Sequence, residues 1–127
     1  MKLESVAYYS KNKLEIPFEI KNNELNTREI LREVVRLYQK GENKADIANA
    51  AQNAIASGLG QLAIESGDKK GISDIGATGG VFYNEAITNT CKNYVEKNGY
   101  NFIQHKNTCA GDGSVSLGQA IVGKTIL

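Results

Sequence analysis

Residues 72–84 read Ile72-Ser73-Asp74-Ile75-Gly76-Ala77-Thr78-Gly79-Gly80-Val81-Phe82-Tyr83-Asn84. The first six form a short apolar run of the kind that makes a buried strand. Thr78-Gly79-Gly80 breaks it. A helix is expected from about Asn84 to Lys97, with Ile87, Cys91, Tyr94 and Val95 on one face. Asn98-Gly99 should stop it. Tyr100 to Gln104 reads as a second strand, Thr108 to Gly113 as a glycine-bearing loop, and Ser114 to about Thr125 as a last helix carrying Val115, Leu117, Ala120, Ile121 and Val122. The order is thus strand, glycine loop, helix, strand, glycine loop, helix. Two strands joined by a helix should run parallel, with a right-handed crossover. The expected fold class is α/β, a small sheet with a parallel βαβ unit packed by helices.

Upstream lies the longest periodic signal in the chain: Ile47, Ala51, Ala54, Ile55, Gly58, Leu59 and Leu62 recur at helical spacing. Asn43 or Lys44 should open this helix, Asp46 favours its positive end, and it should stop near Ser66-Gly67. Its small residues let another backbone come close. Before it, Asn26 with Glu29 has the spacing of a capping box. Ile30, Leu31, Val34, Val35, Leu37 and Tyr38 then make an apolar face that Gly41 ends. Leu14, Ile16, Phe18 and Ile20 recur at every second residue, which predicts an edge strand or an extended segment, with Pro17 favouring an edge. Lys21 to Leu25 reads as a polar turn, and residues 2–9 as a short helix.

The length of 127 residues suits a single domain spanning 1–127, and an apolar fraction of 41% supports a modest core. A formal charge of +1 without long runs of one sign leaves no footprint for nucleic acid or an anionic membrane. Cys91 and Cys109 form no CxxC pair, and the first residues lack a signal-peptide core. With no apolar stretch long enough for a membrane span, a cytoplasmic protein is expected.

Two segments carry chemistry. Gly79 and Gly80, at the carboxyl end of a strand and just before a helix, stand where ligands collect in α/β sheets. Unpaired N–H groups there can face phosphate oxygens, although a tight strand-to-helix turn needs glycine with or without a ligand. Cys109-Ala110-Gly111-Asp112-Gly113-Ser114 repeats the geometry after the second strand. Asp112 could offer a hard carboxylate oxygen to a divalent cation, or could simply cap the helix. His105 has no second histidine beside it, and Cys109 has no base placed by sequence, so a buried thiol is the simpler reading.

Taken together these segments resemble the HypF carbamoyltransferases. Thr78 to Asn84 is similar to the family's SGGVFQN segment, and His105 to Ala120 to its HRRVPPNDGGIALGQA ending. Met1 to Val6 resembles the A-x-x-LE-x-LA helix, Pro17 to Ile20 the YPFEI segment, and Ile47 to Ile55 the IAARFHNTLA helix. Order and spacing agree over nearly the whole chain. The resemblance implies most of the second lobe of a TsaD-like module, one lobe of an actin-like ATPase (ASKHA) fold. It implies a reaction in which carbamoyl phosphate and ATP yield a carbamoyl adenylate, and the carbamoyl group passes to the carboxy-terminal cysteine of HypE on the way to the cyanide ligand of [NiFe] hydrogenase. By the same resemblance Gly79, Gly80 and Asn84 border the nucleotide, and Asp112 is a metal ligand. The remaining ligands, including a histidine pair, belong to the other lobe, so ATP and a divalent metal ion are expected only with that lobe present. HypE and the rest of HypF are the partners implied.

Three departures stand out. The family's Phe-His is Ala51-Gln52 here, and Gln is what TsaD-like proteins tend to show. The Pro-Pro before the aspartate is Cys109-Ala110, and the Gly-Gly after it is Gly113-Ser114. These keep a TsaD-like or O-carbamoyltransferase lobe open, and the lack of a complete catalytic set keeps a non-catalytic binding or assembly module open. The lobe alone is expected to fold without turning over its substrates. An apolar face left open by the missing lobe would favour self-association.

Overall fold

A computed structural model describes residues 2–11 and 13–126. Helix α1 (Lys2–Ala7) leads into an extended segment, then strands β1 (Ile20–Lys21) and β2 (Glu24–Leu25), helices α2 (Thr27–Gln39) and α3 (Lys44–Lys70), strand β3 (Asp74–Ala77), helix α4 (Glu85–Lys97), strand β4 (Asn101–Gln104) and helix α5 (Val115–Ile126). Strands β3 and β4 pair in parallel, with Asp74 opposite Asn101 and Ala77 opposite Gln104. The α/β architecture with a parallel βαβ unit is therefore present. Among the described residues, no helix is long and apolar enough to cross a membrane.

Residues 14–19 are the extended segment of the two expected alternatives rather than an edge strand. Their burial alternates, with Ile16 buried and Glu15, Pro17 and Glu19 exposed. Ladder pairing, however, is limited to Ile20 with Leu25 and Lys21 with Glu24. Leu14, Ile16 and Phe18 instead pack on the cluster formed by Ile30, Leu37, Ile47, Ala50, Ala51 and Ala54. A period of two reports which side chains face inward, not whether the backbone has a strand partner. Asn22 and Asn23, at φ 51° and 63°, make the two-residue hairpin between β1 and β2.

The helix ends depart in part. Asn26 sits at the start of α2 without a side-chain cap bond. Its amide nitrogen donates to Glu19 Oε2 at 3.2 Å instead, and Glu29 pairs with Arg32. Helix α3 does begin on a capping Asn43, whose Oδ1 accepts from Ala45 N at 2.8 Å. Asp46, 3% exposed, accepts from Ser10 Oγ and Lys11 N at 2.8 Å each, so it also anchors the segment after α1. Helix α3 passes the predicted stop at Ser66-Gly67 and ends at Lys70. The stop is Gly71 at φ 66°, with Ile72 N closing back on Gly67 O at 3.0 Å. Gly67 is needed for closeness: a Cβ there would lie 2.7 Å from Ile72 O.

A second core joins α3, β3 and α4 through Ala56, Ile75, Ile87, Cys91 and Val95. Ala56 and Val95 are 0% exposed. Alanine and glycine along α3 let α4 approach; at Gly60 an added Cβ would already stand 3.0 Å from the Tyr94 ring. Helix α5 is different. Val115, Leu117, Ile121 and Val122 on it are about half exposed or more, an open apolar face of the kind that promotes association.

Candidate functional site

Parallel pairing carries β3 and β4 to the same edge, so the loops that follow them are neighbours. Gly79 N donates to Ala110 O at 2.6 Å, and Thr78 Oγ1 donates to the same carbonyl at 3.1 Å. His105 bridges both loops, with Nε2 3.0 Å from Thr78 Oγ1 and Nδ1 2.9 Å from Thr108 Oγ1. Gly111 N donates to the Tyr83 hydroxyl at 3.2 Å. The segments holding Gly79, Gly80 and Asn84 and the segment holding Asp112 are thus one assembly.

The two glycines have different reasons to be glycine. Gly79 sits at φ +105°, a conformation that side chains resist. Gly80 has no such angle, and a Cβ added there would meet nothing within 4 Å. Turn geometry accounts for the first glycine and leaves the second unexplained by the fold. Gly80 opens a 3₁₀ turn over Gly80–Tyr83. Asn84 then caps α4, its Oδ1 accepting from Ile87 N at 3.1 Å. Its Nδ2 donates to Gln52 Oε1 at 2.5 Å.

In the second loop the cap position belongs to Gly111, and Asp112 stands one residue inside the 3₁₀ turn Asp112–Ser114. The helix-cap alternative for Asp112 therefore does not describe it. The Asp112 residue is exposed. Among the described residues, no group of three or more His, Cys, Asp or Glu side chains is placed to hold a metal ion.

Cys109 is half-buried rather than sealed in the core, which corrects the simpler reading of its thiol. Its Sγ lies 3.2 Å from Ser114 Oγ. Hydrogen-bond contact with the Ser114 side chain and then the Tyr83 hydroxyl holds the thiol below the ordinary cysteine range, while the Ser114 hydroxyl also donates to Cys109 O at 2.6 Å. Burial pushes the Cys91 thiol up. At neutral pH, iodoacetamide should label Cys109 faster than Cys91, because the first thiol is partly accessible and held low while the second is buried and pushed up. Ser114→Ala should slow Cys109 labelling. Peptide mapping showing equal rates, or no effect of Ser114→Ala, would contradict the assignment.

Sequence reasoning missed Tyr83 and His105 as ties between the loops, and Gln52 beneath Asn84. Gln52 did carry a signal, being a polar residue among the alanines of α3. Beside Tyr83 opens a cleft of about 520 Å³, lined also by Glu4, Tyr8, Asn49, Glu85 and Asn89. A larger cleft, about 870 Å³, lies between residues 14–18, α3 and α4 and includes none of Gly79, Gly80, Asn84 or Asp112.

These features define an α/β module of the kind that gathers ligands outside the carboxyl ends of its strands. Residues 1–119 match the family model for the second subdomain of the carbamoyltransferase Kae1-like domain, and the chain belongs to that family. It is 41% identical over 121 residues to "Probable carbamoyltransferase HypF" of Methanocaldococcus jannaschii, covering 95% of this chain and 16% of that protein. The crystal structure of T. kodakarensis HypF superposes with a TM-score of 0.86 at 30% identity, over 96% of this chain and 16% of that one. Full-length HypF in its phosphate- and nucleotide-bound form superposes with a TM-score of 0.82 at 26% identity, over 99% of this chain and 17% of that one. The chain is a piece homologous to the carboxy-terminal part of HypF, and it spans about one sixth of these relatives.

Proposed function

We propose that this chain is the second lobe of an actin-like ATPase module, and that it contributes half of a nucleotide and metal site to a carbamoyltransferase. The single observation that carries the reading is the joining of the Gly79-Gly80 turn to the Asp112 loop at the ends of adjacent parallel strands. Gly80 leaves backbone N–H groups open to phosphate oxygens. Asn84 borders the nucleotide. Asp112 suits a divalent cation because an exposed carboxylate is a hard oxygen donor. The cation, when bound, would neutralise phosphate charge. Its other ligands come from the partner lobe. The relative's name supports carbamoyl transfer as the reaction, and the family resemblance adds to the proposal carbamoyl phosphate and ATP as substrates, the carboxy-terminal cysteine of HypE as acceptor, and a cytoplasmic setting.

The test uses a chimera in which this chain replaces its 41%-identical counterpart in the M. jannaschii relative. The chimera should consume ATP in a carbamoyl phosphate-dependent way, while the 127-residue chain alone should not. Gly80→Val should keep the melting temperature and lower that turnover by at least about tenfold, because a branched side chain now occupies the approach to the backbone. Turnover by the isolated chain above a buffer control, or an unaffected Gly80→Val chimera, would refute the reading.

A further inference from the structure

Gln52 lies in the middle of α3 and is 2% exposed. Ala50, Ala51 and Ala54 beside it on the helix are buried, while Asn53 is half-buried. Its orientation follows from chemistry. Asn84 Oδ1 is engaged by Ile87 N, so the amide group that Asn84 turns toward Gln52 must be its NH₂. The atom that receives it, 2.5 Å away, must then be the oxygen of Gln52. This leaves Gln52 Nε2 buried, and no hydrogen-bond partner for it exists among the described residues. An orphaned buried donor costs stability, and methionine would fill the same volume without that cost. A glutamine here is explained by what it does to Asn84, not by packing.

We infer that Gln52 is a positioning residue for the nucleotide loop: it fixes the rotation of the Asn84 carboxamide, so that Asn84 caps α4 with its oxygen and presents its remaining N–H in one direction. The inference rests on the reading of Asn84 as bordering the nucleotide. The cap bond to Ile87 N holds the carboxamide by its oxygen alone, and the bond to Gln52 holds its nitrogen as well, so that donor and acceptor cannot exchange places toward a ligand. Histidine, the residue at this place in the resembling HypF helix, is also able to do the work, because neutral imidazole keeps one acceptor nitrogen.

The experiment is run on the full chain with Gln52→Met and Gln52→His, following the Asn84 side-chain NH₂ by nitrogen-15 NMR. In Gln52→Met the melting temperature should hold or rise, while Asn84 NH₂ exchange with solvent speeds up by at least about tenfold, the equivalent of one lost hydrogen bond. Gln52→His should restore the protection. Unchanged exchange in Gln52→Met, failure of Gln52→His to restore it, or a melting temperature several degrees lower in Gln52→Met would each overturn the inference, the last by showing a packing role. Titration with magnesium-ATP, carried out on the chimera that supplies the other lobe, with and without Gln52→Met, separates the two claims. The Asn84 signal should move in the wild type and move at least about fivefold less readily in Gln52→Met. No movement in the wild type overturns the nucleotide reading alone. Equal movement in both overturns the positioning role alone.

Discussion

Val95→Asp should abolish the cooperative thermal transition of this chain. Val95 is 0% exposed and packs with Ala56, Ile75, Ile87 and Cys91 where α3, β3 and α4 meet. Its carbonyl also accepts from Asn98 N and Tyr100 N at 3.2 and 3.3 Å, the turn that launches β4. An aspartate at this point brings a carboxylate into a cluster with no cation in it. An uncompensated buried charge costs about 3–5 kcal/mol, and the lost packing adds to that. A small domain has roughly 5–15 kcal/mol in all, so most of the margin disappears. The matched control is Leu31→Asp on α2, which is 64% exposed and should cost about 1 kcal/mol or less. Circular dichroism melts check both. A Val95→Asp chain that melts like the wild type would show that this cluster does not hold the βαβ unit together.

That pair of substitutions also marks what could be read from residues alone. Leu31 and Val95 both lie on apolar helical faces, and periodicity ranks them alike. Only the packing distinguishes them, because α2 buries Ile30 and Leu37 while Leu31, Val35 and Tyr38 stay exposed. The βαβ half was readable because β3 lies between Gly71 and Gly79, α4 between Asn84 and Asn98-Gly99, and β4 starts just after Gly99, all local signals. For the segment 14–19 an edge strand and an extended segment both stayed open, because alternation is produced equally by a strand and by an extended chain lying on a helix. The end of α3 was placed too early because Gly67 looks like a stop, whereas it is a close contact inside the helix. At the site, Gly79, Gly80, Asn84 and Asp112 could be picked out from sequence. The roles of Tyr83, His105 and Gln52 could not, since they depend on partners 27 to 32 positions away in the chain.

The second large effect concerns Asp112. In the chimeric carbamoyltransferase, Asp112→Asn is expected to lower carbamoyl phosphate-dependent ATP turnover by about two to three orders of magnitude, the usual loss when one electrostatic contact to the reacting phosphate chemistry is removed. The substitution keeps the side chain's size and removes only its charge. Because the residue is exposed and Gly111 holds the cap position, the melting temperature should stay within about a degree or two of the parent. Turnover should partly recover at raised magnesium or manganese, since a weakened site fills by mass action. Asp112→Glu should fall between, retaining the carboxylate but displacing it by one methylene. Three measurements therefore converge: turnover, melting temperature and the metal concentration for half-maximal rate. An Asp112→Asn chimera with near-parental turnover would remove the cation from this loop. One that loses turnover together with its fold would make Asp112 structural. Loss of rate with an intact melt and a raised metal requirement is the pattern that only a cation at this carboxylate produces.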